Sequence, residues 1–370
     1  MSDRNEKWVM QIAHSYYPPF LDCARQYAAL FQGSQYKVLT VYLTGESNPA
    51  VEAGSTSHQV IFLGYKSKQV SGLKLDAIAK IKRIASKKQF QFCIAHRVKP
   101  TYTALLATNL PVISVHHNYN DYSRWSRRLL VDFYQKRLLM LGVSDSVRDD
   151  LRHDLKNWPP ERILTLYNRI DLDVTKAGFV SKDEARAVLG LAKNAYVIGN
   201  VGRLHRDKDQ TTLLKAFAHA LPQLPQHSIL AIMGMGPLEA HLKSLAEQLG
   251  ISHAVRFTGN IPDGKRYFNA FDLFTLTSDH EPFGMVLLEA MAANLPIICS
   301  DSGGGAEIVQ GLGDLFPLGD AKALAERMVI NAYRPPNIFN IEQRLTAHFT
   351  DAAVKTKFWN IEYIKTIIEN

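Results

Sequence analysis

Short β-branched runs alternate with helix-like stretches along nearly the whole chain. In the first half, WVMQIAH, KVLTVYL, QVIFLG, FQFCIAH, PVISVHH, LLMLGVS and RILTLYN read as strands. Between several of them, ARQYAALF, LDAIAKIKRIASKK, YTALLAT, RRLLVDFYQKRL and SVRDDLRHDL carry helical patterning. That alternation predicts a parallel, doubly wound α/β sheet. From Arg127 to Leu138, apolar Leu129, Leu130, Phe133, Tyr134 and Leu138 recur at helical spacing, which predicts a stripe packed against the sheet.

The pattern resets across the polar stretch NRIDLDVTKAGFVSKDEA. A second alternation follows, with AYVIGNVG, SILAIMG, AVRFTGN, LFTLT and PIICSD as strands and LLKAFAHA, LEAHLKSLAEQLG and VLLEAMAAN as helices. A chain of 370 residues exceeds what one core usually covers. Two similar α/β domains are expected, at 1–172 and 173–350. The tail, 351–370, reads as a helix beyond the second sheet.

Composition adds limits. Hydrophobic residues make up 46% and charged residues 21%, as in an ordinary globular enzyme. The charged start MSDRNEK does not predict a signal peptide. No apolar run approaches the roughly 18–20 residues of a membrane span. Cys23, Cys93 and Cys299 are scattered among apolar residues, a pattern of buried thiols in a reducing, cytoplasmic setting. Residues 1–175 hold 24 Lys and Arg against 15 Asp and Glu, so all of the net +8 lies in the first half. Such an excess suits either a solvated basic face or an anionic partner.

Ligands in open α/β sheets bind at the carboxyl ends of strands, and four loops of the second half stand there. In GNVGRLHRDKD, Gly202 lets backbone approach a phosphate while Arg203 and Lys208 supply charge; a basic surface turn reads the same. MGMGPLEAHL, from Gly234, lacks the third glycine of a dinucleotide fingerprint, which argues against NAD. In SDHEPFGMVLLEAMA, Glu281 precedes the Pro282-Phe283-Gly284 turn, and Glu289 falls among Val286, Leu287, Leu288 and Met291. A carboxylate buried there needs a partner, and ribose hydroxyls would serve. In SDSGGGAEIV, Gly303, Gly304 and Gly305 precede a helix and offer backbone N–H groups to an anion.

Taken together, EPFGMVLLEA with its E-x7-E spacing, GRLHRDKD, MGMGP, VRFTGNIP and SGGGAE resemble the retaining nucleotide-sugar glycosyltransferases of family 4, which have the GT-B fold. LYNRIDLD is similar to that family's domain junction, with Arg169 in place of a glycine. The first half departs from the pattern: HSYYPPFLDCA has no Gly-Gly pair, and Pro18-Pro19 suggests a rigid approach to the donor. PVISVHHN ends in His116 and His117, where the family has an active-site histidine; the role goes to His116, with His117 as the fallback. AHRVKPTY, with His96 and Arg97, is similar to bacterial lipopolysaccharide-core sugar transferases.

The resemblance implies two Rossmann-like domains facing across a cleft, the second binding the donor and the first the acceptor, with the C-terminal helix crossing back. It implies transfer from a nucleotide-diphosphate sugar, with UDP the expected nucleotide, to a glycan or lipid-linked acceptor in cell-surface polysaccharide synthesis. Arg203 and Lys208 would stabilise the departing diphosphate. Glu289 would hold the ribose, and Glu281 with the backbone of Pro282, Phe283 and Gly284 the sugar. Gly202 and Gly234 would admit the phosphates, and His96, Arg97 and His117 would meet the acceptor. No metal or cofactor is expected. The basic first half, with Lys80, Lys82, Arg83, Lys87 and Lys88 on one helix and Arg124, Arg127 and Arg128 on another, predicts peripheral attachment to the anionic inner face of the cytoplasmic membrane. A sugar-nucleotide epimerase of the same fold and a non-catalytic sugar sensor are rival readings. A nucleic-acid-binding protein, suggested by a pI near 9.2, lacks a recognised motif, and no nucleic-acid partner is expected.

Overall fold

The computed structural model describes residues 6–17, 20–334 and 338–369. Pro18 and Pro19 lie outside the described residues. The chain divides into two compact units, Met1–Asn168 with Val354–Asn370, and Arg169–Ala353.

The first unit is built on seven parallel strands: β1 (Lys7–Ala13), β2 (Tyr36–Thr44), β3 (Gln59–Tyr65), β4 (Phe90–His96), β5 (Val112–His116), β6 (Leu138–Gly142) and β7 (Ile163–Thr165). Their order is β3-β2-β1-β4-β5-β6-β7. β5 and β6 are buried at every position, as expected where helices cover both faces of a parallel sheet; apolar runs there need not alternate. Strand order reverses between β1 and β4, so the carboxyl ends of these strands adjoin. From Val354 the tail is part of this unit. Phe358 is buried against Phe31, and the Trp359 indole stacks on Tyr36 and donates to the Leu30 carbonyl at 3.2 Å.

The second unit has six parallel strands: β8 (Val197–Val201), β9 (Ile229–Met233), β10 (Val255–Gly259), β11 (Leu273–Leu276), β12 (Ile297–Ser300) and β13 (Asp314–Phe316). Their order is β10-β9-β8-β11-β12-β13. The reversal falls between β8 and β11. Ile198, Phe217, Leu230, Ile232 and Leu273 centre its core.

Several local readings change. The polar stretch between the two alternations contains two helices, Leu172–Gly178 and Lys182–Leu189, with Asp171 and Ser181 as side-chain N-caps. β13 is a strand of three residues, too short to show a period. The three glycines 303–305 form the first turn of the helix Gly303–Val309 and do not precede it. The helix read from Arg127 spans Trp125–Phe133, and Leu138 opens β6. Its stripe does not face the sheet: Val131 is the buried residue, while Leu129 and Phe133 are exposed. Periodicity identifies a face but not its direction.

Candidate functional site

In the second unit the reversal of strand order places the loop after β8 beside the loop after β11. The first carries Gly202 to Asp209, ending in a 3₁₀ turn (Arg206–Lys208) and the N-cap Asp209, whose side chain accepts from Thr212 N–H. The second carries Ser278 to Gly284. They are stitched together: Thr277 Oγ1 donates to the Lys208 carbonyl at 2.7 Å, and Asp279 N–H donates to the Asp207 carbonyl at 3.0 Å. Lys208 and Glu281, 73 residues apart, form a largely buried ion pair at 2.6 Å. Ser278 Oγ donates to the same carboxylate oxygen at 3.3 Å.

Arg203 behaves differently. Its side chain is 74% exposed and approaches Asp207 only at 3.6 Å, while Gln210 Nε2 fixes its carbonyl at 3.0 Å. The backbone is held and the guanidinium reaches out. Burial pushes the Asp207 carboxyl up, but the His205 hydrogen bond and the charges of Lys208 and Arg203 outweigh it and hold it below its ordinary value. Asp207 thus balances a cluster of cations, a role missed when HRDKD was read for its bases alone.

The glycines have packing reasons. A Cβ on Gly234, at φ +140°, would lie 1.9 Å from the Gly202 carbonyl oxygen, and one on Gly236 would lie 2.3 Å from that of Leu204. The two loops are zipped by Gly202 N–H to Met233, Leu204 N–H to Met235 and Leu238 N–H to Leu204. MGMG therefore supports the loop that carries Arg203. Gly202 itself lies over the Lys208 stem.

The turn after Glu281 is clamped from β12. Ser300 Oγ donates to the Ser278 carbonyl at 2.6 Å, Ser302 Oγ to that of Asp279, and Gly304 N–H to that of Glu281 at 2.8 Å. Gly284 takes φ +95°, a conformation that favours glycine. Pro282 is half-buried. Phe283 is buried, its ring 6.0 Å from that of Phe349, so its side chain belongs to the core. Glu289, expected to be buried, is half-buried on the same partly open face as Met285 and Val286, whereas Leu287, Leu288 and Met291 are buried.

In the first unit, the ends of β1, β4 and β5 gather histidines. His116 is fully buried, with Nδ1 2.7 Å from Asp121 Oδ2 and Nε2 2.7 Å from Ser114 Oγ. Both of its ring nitrogens are therefore hydrogen-bonded within the unit. His117, just past the end of β5, keeps 9% of its surface and lies 3.5 Å from Cys23 Sγ and 3.2 Å from His96 Nδ1. Burial, then the Arg97 charge, pushes His96 down to about 3. Burial, then neighbouring His96 and Arg97, holds His117 well below its ordinary value. His14 falls to about 4 through burial and the charges of Lys99 and Arg97, while burial raises the Cys23 thiol to about 12. The set is therefore uncharged near neutrality.

Arg97 caps the end of β4 at φ 75° and ψ 174°, a region otherwise reserved for glycine. Its guanidinium lies 4.5 Å above the Phe20 ring. At the junction, Arg169 is buried and paired with Asp351. Cys23, Asp121 and His14 were not singled out as site residues; Cys23 meets His117 only across 94 residues, and Asp121 reaches His116 by a turn that periodicity does not show. Among the described residues no three His, Cys, Asp or Glu side chains converge as a metal site.

These features meet known families on both units. Residues 20–174 match the family described as Glycosyltransferase Family 4, and residues 181–329 match Glycosyl transferases group 1. An uncharacterized glycosyltransferase of Methanocaldococcus jannaschii is 31% identical over 176 residues, covering 46% of this chain and 44% of that protein. The chain thus matches less than half the length of that curated relative. Among solved structures, a glycosyltransferase from Rickettsia africae superposes with a TM-score of 0.84 at 17% identity, covering 99% of this chain and 100% of that one. HepE of Anabaena, in complex with UDP and glucose, gives 0.73 at 18%, covering 95% and 97%. The lipopolysaccharide outer core galactosyltransferase WaaB gives 0.74 at 16%, covering 97% and 99%. At such identities these likenesses establish the fold, two Rossmann-like α/β domains of the GT-B type. Each unit thus matches a glycosyltransferase domain family, Glycosyltransferase Family 4 on the first and Glycosyl transferases group 1 on the second.

Proposed function

We propose that this chain transfers a sugar, with retained configuration, from a UDP-sugar or another nucleotide-diphosphate sugar to a glycan or lipid-linked acceptor. The observation that carries the reading is the Lys208–Glu281 pair beside the outward Arg203, at the switch point between β8 and β11. A leaving diphosphate needs cations held in place before its charge develops, and the stitched loops hold them. In the step, the acceptor oxygen bonds to the anomeric carbon on the face the phosphate leaves. The carbon–oxygen bond to phosphate breaks with its electrons staying on the diphosphate, which takes the acceptor proton. Arg203 and Lys208 neutralise that charge. Glu289, on its partly open helix face, accepts from the ribose hydroxyls. Glu281 and the backbone of Pro282 to Gly284 orient the sugar, and Gly202 and Gly234 let the phosphates approach.

The second unit is the donor side and the first the acceptor side, with His96, Arg97 and His117 nearest the acceptor. Strained Arg97 supports that assignment, since a non-glycine residue kept in a glycine conformation points to use of its side chain. The similarity to a lipopolysaccharide transferase suggests a cell-surface glycan as product and a peripheral location at the inner membrane face. No divalent ion enters the step, so turnover should survive a strong chelator; loss with EDTA and recovery with Mn²⁺ would overturn that point. A panel of UDP-, GDP- and ADP-sugars tests the central reading. One donor should bind and hydrolyse slowly, with nucleotide release accelerated by acceptor glycans. Binding of none sinks it, and a changed donor sugar without acceptor would make the chain an epimerase.

A further inference from the structure

The helix Trp125–Phe133 buries Val131 and turns large apolar side chains outward. Trp125, Leu129 and Phe133 are 68%, 59% and 81% exposed. At about 100° per residue, steps of four drift only about 40°, so the three share one face. Single exposed apolar residues are ordinary, but a row of three this large marks an interaction surface.

Leu73 and Leu75, also exposed, flank Lys74 just before the helix Leu75–Ala85. The Lys74 ammonium lies 4.2 Å over the Tyr102 ring, and the Tyr102 hydroxyl reaches the Leu73 carbonyl at 3.5 Å. Burial first, then the charges of Lys99 and Arg127, hold Lys74 below its ordinary value.

The surroundings are basic. Arg124 and Lys136 are exposed and Arg128 half-buried around the apolar row, and Lys82, Arg83 and Lys87 are exposed on and after the helix Leu75–Ala85 of the same unit. Between residues 66 and 99, ten Lys and Arg face a single acid, Asp76. An apolar row in a cationic rim suits a surface that is itself apolar beneath a layer of negative charge. A second copy would bring the same cations against these and be repelled.

We propose that the first unit docks on an anionic lipid bilayer, with Trp125, Leu129 and Phe133 entering the acyl boundary and the surrounding lysines and arginines meeting lipid phosphates. Among the described residues no helix is long and apolar enough to cross a membrane, so this attachment is at the surface. It gives the peripheral location proposed above a defined face. Vesicle binding reads it without activity, so failure of one reading leaves the other standing.

The test sediments the full chain with phosphatidylcholine vesicles, with or without phosphatidylglycerol. Trp125 is the exposed tryptophan; Trp8 and Trp158 are buried and Trp359 is stacked on Tyr36. The chain should bind the anionic vesicles with a blue shift in emission, and Trp125→Phe should abolish the shift but keep the binding. Replacing Trp125, Leu129 and Phe133 together by Ser should weaken partition about 100-fold with unchanged circular dichroism. Lys82→Gln, Arg83→Gln and Lys87→Gln should each cost about fivefold on anionic vesicles. Overturning results are parental binding by the triple Ser variant, binding without a Trp125 shift, or no binding to either vesicle. A parent dimer that the Ser variant turns into a monomer would assign the face to a second copy instead. Should the Ser variant misfold, the Trp125→Phe emission and the Gln variants decide.

Discussion

The two units solve the same problem, turning the chain sharply at the end of a strand, with different residues. In the second unit glycines do it: Gly234 at φ +140° lets its loop touch the Gly202 carbonyl, and Gly284 at +95° turns the chain after Glu281. In the first unit Arg97 adopts φ 75° and ψ 174° at the end of β4. A glycine in such a place reports close packing. An arginine there stores about 1–3 kcal/mol of strain, which the stacking of its guanidinium on Phe20 offsets in part and which makes sense if the side chain is used. The units also handle charge differently. The second pairs Lys208 with Glu281 and leaves Arg203 open, while the first keeps His14, His96 and His117 uncharged in its interior.

Acid should separate the units most. With His96 held near 3 and His14 near 4, the unfolded chain takes up protons near pH 6.5 while the folded unit does not. Stability of the first unit is therefore complete above about pH 6.5 and is lost as pH falls from there toward 4. His96 alone accounts for about 1.4 kcal/mol per pH unit, with His14 and His117 acting in the same direction. In the second unit, Asp207 is shifted below its ordinary value near 3.8, so its contribution persists to lower pH. Hydrogen exchange followed by mass spectrometry should show the first unit opening first; simultaneous opening, or none above pH 4, would erase the contrast.

Lys208→Ala comes next. Removing a preorganised cation from a developing diphosphate should lower turnover about 100- to 1000-fold, with the fold retained. A rate near that of the parent at saturating donor would take Lys208 out of the mechanism.

Gly234→Ala and the Arg97 variants test the backbone half of the comparison. The new methyl group of Gly234→Ala meets backbone at 1.9 Å, so urea denaturation should show a loss of about 3 kcal/mol. An unchanged midpoint would mean that the two loops are not held in contact. The smallest effect is expected from Arg97→Gly against Arg97→Ala. Both delete the charge, but only glycine relieves the strain, so the glycine variant should be the more stable by about 1–2 kcal/mol. Equal stabilities would remove strain from the account of Arg97, and an unchanged acceptor KM in both would remove its side chain from the acceptor side.

Much was legible along the chain. Twelve of the strands stand where apolar runs predicted them, because a parallel strand buried on both faces must be apolar throughout. The loops after β8 and β11 were legible because Gly202, Arg203, Lys208, Glu281 and Gly284 occur in short strings beside strand ends. In the first unit His96, Arg97, His116 and His117 were legible at strand ends but their contacts were not, because the partners come from separate elements: Cys23 from the helix Phe20–Ala29, His96 from β4 and His117 after β5.

By itself, then, the sequence determined where strands end and which loops carry charge and glycine, since both follow from local periodicity and residue type. Tertiary structure alone decided that Lys208 meets Glu281, because only the strand order makes β8 and β11 neighbours across 73 residues. It decided that His116 is sealed by Asp121 and Ser114, whereas His117, one residue past the end of β5, meets Cys23 and His96. It also turned Trp125, Leu129 and Phe133 outward, because a helical period carries no information about which face the rest of the fold will cover.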